Sequence, residues 1–264
     1  MLFKLKGPNV ALLQIDHVSE KVGVNLPLNV ILPDDLTRGG KALEERKVLY
    51  LLHGLSDDAS AWQRYTNIEI LARAHGLVVV MPTAGRSFYA NMANGQAYFS
   101  YITEELPAWL AATFRISSAR ENTFVAGLSM GGYGAFKAAF LRPDLYSAAC
   151  SLSGVLAMNA LLAPPDKVEN PALMQEFDLL FGGLDKLSGS LHDPMTWLKN
   201  AAASSAPLPR LYAACGLEDD LLPLNRLFVH AASQAGVPLH YEEEPGGHEW
   251  IFWQKQIEKF ILAI

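Results

Sequence analysis

The residues best suited to chemistry are Gly127-Leu128-Ser129-Met130-Gly131, a serine with a glycine two positions to either side. A serine hydroxyl becomes a useful nucleophile when a histidine removes its proton and a carboxylate orients that histidine. The five-residue pattern alone recurs by chance, so its surroundings carry the weight. It follows an apolar run, Thr123 to Leu128, and opens a helical pattern, Met130 to Arg142. A strand, sharp turn and helix in that order push a strained serine outwards. Side chains at 127 and 131 would collide with the neighbouring strand and helix, which explains the glycines. The helix N-terminus also favours negative charge near Ser129. A phosphate-binding loop is excluded, because Tyr133 follows Gly132 where lysine is needed. A dinucleotide fingerprint fails too, since Gly132-Tyr133-Gly134-Ala135-Phe136-Lys137 lacks the last glycine.

On such a turn the partners follow in chain order: serine, acid, histidine. Of the seven histidines, His17, His53 and His75 come too early and His192 precedes the last strands. His230 falls in a helical pattern and His240 inside a strand. His248 follows Pro245-Gly246-Gly247 and leads into the C-terminal helix, where the base belongs. The acid belongs just past the penultimate strand, in Cys215-Gly216-Leu217-Glu218-Asp219-Asp220. Asp219 is favoured, with Asp220 next and Glu218 last; chain order does not separate them.

The tetrahedral intermediate needs two backbone N–H groups aimed at its oxygen. Met130, directly after the nucleophile, supplies one. The other should come from His53-Gly54-Leu55-Ser56-Asp57, with Leu55 as donor and His53 as a structural member of the turn. Trp250, Phe88 and Tyr89 are candidates for the substrate wall, with Met158 and Phe181 from a cap region.

Positioning these groups requires a particular set of elements. Residues 10–19 and 24–32 alternate apolar and polar, as antiparallel edge strands do. Lys47 to Leu52, Leu77 to Met81, Thr123 to Leu128 and Leu208 to Ala214 are mostly apolar runs, as parallel strands covered on both faces require. Helical patterns lie between them. Ile68 to His75 ends at Gly76, and Tyr98 to Phe114 contains Pro107, which should kink or divide it. A C-terminal stripe carries Trp250, Trp253, Ile257, Phe260, Ile261 and Ile264. The alternation predicts a doubly wound, mostly parallel sheet with antiparallel N-terminal strands. The strand-poor stretch at about 155–207, with Pro164-Pro165 and Gly182-Gly183, predicts a small helical cap within one domain, 1–264.

With 264 residues, half of them hydrophobic and 18% charged, the chain is suited to one large globular core. A net charge of −6 gives no reason to expect nucleic acid. No apolar stretch of about 18 residues suggests a membrane helix, and the first eight residues lack the apolar run of a signal peptide. A cytoplasmic location is therefore expected, with Cys150 and Cys215 as reduced core thiols.

Taken together, LLHGLSDDASAW, VVVMP, EELPAWL, FVAGLSMGGYGAFKAA, ACGLEDDLL and PGGHEWIFWQKQIEKF resemble the esterase D group of α/β hydrolases, with bacterial tributyrin esterases the nearest likeness. The resemblance spans nearly the whole chain. It implies an α/β-hydrolase fold that hydrolyses short-chain acyl or aryl esters without metal or cofactor. It assigns the triad to Ser129, Asp219 and His248, the CGxxD pattern supporting Asp219. The implied partner is a small-molecule ester, with a homo-oligomer left open. The related S-formylglutathione hydrolases usually carry a cysteine shortly after the His-Gly-Leu segment, where this chain has Ser56-Asp57-Asp58. The more distant mycolyltransferases would imply acyl transfer outside the cell. A non-catalytic binding protein on the same fold would commonly lack the serine or histidine, and both are present.

Overall fold

Short apolar runs bounded by turn residues become strands, and here eight of them form a single sheet. They are β1 (Asn9–Val18), β2 (Asn25–Asp34), β3 (Val48–Leu52), β4 (Val78–Pro82), β5 (Thr123–Leu128), β6 (Ala148–Leu152), β7 (Arg210–Gly216) and β8 (His240–Glu244). The computed structural model describes residues 9–35, 39–93, 95–162 and 171–264. Met1 to Pro8 and the Pro164-Pro165 pair of the expected cap lie outside the described residues. The sheet order is β1-β2-β4-β3-β5-β6-β7-β8. Strands β3 to β8 are parallel, and β2 is antiparallel to both β1 and β4.

The helices are α1 (Ala61–Tyr65), α2 (Ile68–His75), α3 (Tyr98–Ser100), α4 (Leu106–Phe114), α5 (Met130–Leu141), α6 (Met158–Leu161), α7 (Pro171–Phe181), α8 (Pro194–Ala202), α9 (Leu222–Gln234) and α10 (Trp250–Ala263). They cover both faces, which is why the central strands are apolar throughout. Along β3, Val48, Tyr50 and Leu52 enter the core shared with α4, α5, α8 and α9. Leu49 and Leu51 enter the opposite core, under α2 and α10. This is the α/β-hydrolase fold expected from the alternation of strands and helices.

Pro107 divides its helix by an uncommon route. A π-helical turn, Tyr101–Glu105, joins α3 to α4, and Pro107 sits in the first turn of α4. Proline has no N–H and would crowd the carbonyl four residues back, so the wider turn relieves both problems. From the end of that turn, Glu105 accepts from Ser19 Oγ and from the Glu20 and Lys21 amides. It thereby pins the β1–β2 connection onto the core.

Chain order reverses at β3, with β4 on one side and β5 on the other. Such a reversal opens a crevice at the carboxyl ends of the strands. His53-Gly54-Leu55 leaves β3 there, and Ser129 leaves β5. Between β6 and β7 the chain makes its helical excursion, with α6, α7 and α8 among the described residues. No helix among the described residues is long and apolar enough to cross a membrane.

Candidate active site

Ser129 occupies φ 52°, ψ −117°, a left-handed conformation that a side chain rarely adopts. The backbone is held there by Ser129 N–H donating to Leu152 O at 2.8 Å and Tyr133 N–H donating to Ser129 O at 3.1 Å. The glycines do what sterics demand. A Cβ on Gly127 would lie 2.3 Å from Gly131 O, and one on Gly131 would lie 2.4 Å from Leu52 O. Strand β5, helix α5 and the end of β3 therefore approach more closely than any side chain permits. Ser129 lies immediately before α5, whose N-terminal dipole favours an alkoxide or oxyanion there.

The loop after β3 is fixed against Ser129. A Cβ on Gly54 would lie 3.9 Å from Ser129 Cβ, so the two turns are neighbours. His53 is buried beneath this loop. Its Nε2 accepts from Ala84 N–H at 2.9 Å, and Nδ1 lies 2.7 Å from Gly54 O. Those contacts require a neutral ring protonated on Nδ1, and burial depresses its pKa in the same sense. His53 is a brace for the loop, as its place in the turn suggested. The N–H groups of Leu55 and Met130 have no partner among the described residues, which leaves both free to donate.

Asp219 and His248 meet across the ends of β7 and β8. His248 Nδ1 lies 3.0 Å and 3.1 Å from the two Asp219 carboxylate oxygens. An ionised carboxylate only accepts, so Nδ1 carries the proton and Nε2 presents its lone pair. Burial alone would raise the Asp219 pKa. Donation by His248, the Leu221 amide and Ser153 outweighs it and holds the carboxyl below its usual range. The neighbouring carboxylates do other things. Glu218 accepts from Gly246 N–H at 2.6 Å and donates its own N–H to Gly246 O at 3.1 Å, stapling the histidine loop to the β7 turn. Asp220 points to solvent.

Comparison with known proteins supplies the family. Residues 19–263 match the model of the family described as Esterase. The chain belongs to the esterase family. It is 30% identical over 254 residues to an acetyl esterase of Caldicellulosiruptor saccharolyticus, an alignment covering 94% of this chain and 96% of that one. Among solved structures it is similar to FphF, a fluorophosphonate-binding serine hydrolase of Staphylococcus aureus. The TM-score is 0.88 at 34% identity, with 97% and 98% of the two chains covered. It is equally similar in extent to the S-formylglutathione hydrolase FrmB of Staphylococcus aureus, with a TM-score of 0.85, 35% identity and the same coverage. The protein is a carboxylic ester hydrolase.

Within this esterase the expected substrate-wall residues separate into two groups. Trp250 is half-exposed at the start of α10, packed against Trp62, Tyr65 and Trp253 with ring centroids 5.2, 5.0 and 5.3 Å away. Phe88 and Tyr89, by contrast, are 2% and 1% exposed and have packing roles instead. Phe88 is surrounded by Tyr133, Phe177 and Phe181. Tyr89 fills the space that Gly134 leaves open and donates its hydroxyl to His53 O at 3.0 Å. Both residues have positive φ, 48° and 47°, so the segment is bent inwards and supports the loop after β3 from below. Their aromatic character suggested a pocket, but burial is the commoner use of such rings. Met158 and Phe181 are buried in the same core. Ser153 and Trp253, which border Asp219 and His248, carried no sequence signal as site residues.

Proposed function

We propose that this esterase cleaves short-chain acyl or aryl esters through an acyl-enzyme on Ser129. His248 acts as general base and acid, and Asp219 orients it. His248 Nε2 takes the Ser129 hydroxyl proton as Oγ forms a bond to the ester carbonyl carbon. The Leu55 and Met130 amides hold the oxyanion that develops. Collapse of the intermediate breaks the bond to the alkoxy oxygen, which leaves as alcohol with the proton from His248. A water then gives its proton to His248, attacks the acyl carbon and releases the acid, restoring Ser129.

The observation that carries this reading is the pairing of a buried, ionised Asp219 with Nδ1 of His248, at the strand ends from which the strained Ser129 projects. The preference for short acyl groups is supported by the cap. Its described side chains Met158, Phe177, Leu180 and Phe181 are packed into the core rather than raised over an open groove. Trp250 is the side chain we place at the substrate, and the whole chain is read as one hydrolase domain.

The test is stoichiometric labelling by a fluorophosphonate, followed by kinetics on C2 to C12 acyl esters, a feruloyl ester and S-formylglutathione. Labelling should be lost in Ser129→Ala, and turnover should fall by about 10⁴–10⁶. Substantial activity in Ser129→Ala would end the assignment. A second reading, thioester hydrolysis of S-formylglutathione, is favoured by the 35% identity to FrmB. Preference for that thioester by orders of magnitude would select it.

A further inference from the structure

We infer that Ser153 is a positioning residue for the acid and base at once, its hydroxyl joining Asp219 to Trp253 and, through Trp253, to the ring of His248. The inference rests on the triad assignment above. Ser153 follows β6 and is completely buried. Its Oγ accepts from Trp253 Nε1 at 3.0 Å. The same hydroxyl lies against the Asp219 carboxylate and against the Cys215 thiol. Burial pushes that thiol up to about 12, so it stays protonated and is a weak acceptor. Of the two neighbours, the ionised carboxylate is the stronger acceptor for the Ser153 proton. Trp253 in turn stands edge-on to His248, with centroids 4.9 Å apart and planes at 89°. A ring of contacts results, running from His248 to Asp219, Ser153, Trp253 and back to His248.

The backbone gives an independent reason to assign the hydroxyl a task. Ser153 sits at φ 48°, in the left-handed region where glycine is at ease and a side chain is strained. Its N–H donates to Ala214 O at 2.8 Å, which ties the turn to β7 just before the acid. A position that tolerates glycine better than serine, yet holds a serine whose hydroxyl accepts from Trp253 beside the Asp219 carboxylate, retains the strain for the hydroxyl.

Two variants separate the hydroxyl from the backbone. Ser153→Gly removes the hydroxyl while relaxing the turn, and Trp253→Phe removes the indole N–H while keeping a ring beside His248. Each should lower kcat roughly tenfold with KM little changed, because the acid and base lose alignment rather than substrate contacts. The double variant should be no worse than either single one, since both act through one junction. Active-site titration with a fluorophosphonate corrects for unfolded enzyme. If Ser153→Gly keeps kcat within twofold, or if the two losses multiply in the double variant, the inference falls. Asp219→Asn, measured alongside, keeps the outcomes distinct: an unimpaired Asp219→Asn would overturn the triad reading itself.

Discussion

Gly216→Ala probes how Asp219 and His248 are brought together without touching either. Gly216 ends β7, and a Cβ there would lie 2.0 Å from Gly246 O and 2.6 Å from the Gly246 carbonyl carbon. Both contacts are backbone, so no rotamer change relieves them. The histidine loop must withdraw by about 1 Å for the nearest contact to reach even 3.0 Å. That motion pulls on the two Glu218–Gly246 hydrogen bonds and carries His248 away from Asp219. A misplacement of that size lowers turnover about 100-fold, equivalent to about 2.7 kcal/mol of transition-state stabilisation. The overpacking itself should cost about 1–3 kcal/mol of stability, a fall in Tm of roughly 3–10 °C for a chain of this size. The assay is kcat on an acetyl ester, normalised to fluorophosphonate-titrated sites, with Tm from calorimetry. A folded Gly216→Ala enzyme with kcat within threefold of the parent would refute the claim that this close approach sets the geometry of Asp219 and His248 for turnover.

Three further outcomes follow from particular residues. Asp219→Asn should reduce kcat by about 10⁴, while Asp220→Asn stays within a factor of about two; equal losses would remove Asp219 from its role. Trp250→Ala should raise KM for aryl esters more than for acetyl esters of small alcohols, and equal effects on both would show that the indole does not face substrate. Lys137 is buried on α5 between Phe99 and Tyr133, with Nζ 3.0 Å from His192 Nδ1. Burial depresses its pKa to about 7, against about 10.4 in the unfolded chain. Between those values the unfolded state binds more protons, so stability should rise with pH from 7 towards 10. Lys137→Met should be more stable than the parent at pH 7 and lose most of that rise; denaturant titrations at pH 7, 8 and 9 would show an unchanged slope if Lys137 were not its source.

The strained turn at Ser129 was legible in the sequence because its constraints are local. Glycines at 127 and 131, an apolar strand before and a helix after are all within one short stretch, and each reflects a backbone approach that the structure displays. The alternation of strands and helices was legible for the same kind of reason, since burial on two faces writes itself into residue periodicity. His248 could be reached by order along the chain. Glu218, Asp219 and Asp220 are chemically alike and adjacent, so chain order did not separate them; the Gly-x-x-Asp turn favoured Asp219 and the CGxxD likeness supported it. What separates them is the direction each side chain takes from the β7 turn, together with partners 29 residues away at His248 and 66 residues away at Ser153. Phe88 and Tyr89 show the same limit in reverse. An aromatic pair near the site looks like a pocket wall in one dimension, and only the positive φ angles and the cavity left by Gly134 turn those rings inwards. Residue type and spacing thus determined which groups were available for ester hydrolysis. Orientation, which depends on contacts between segments far apart in the chain, decided which of them meet.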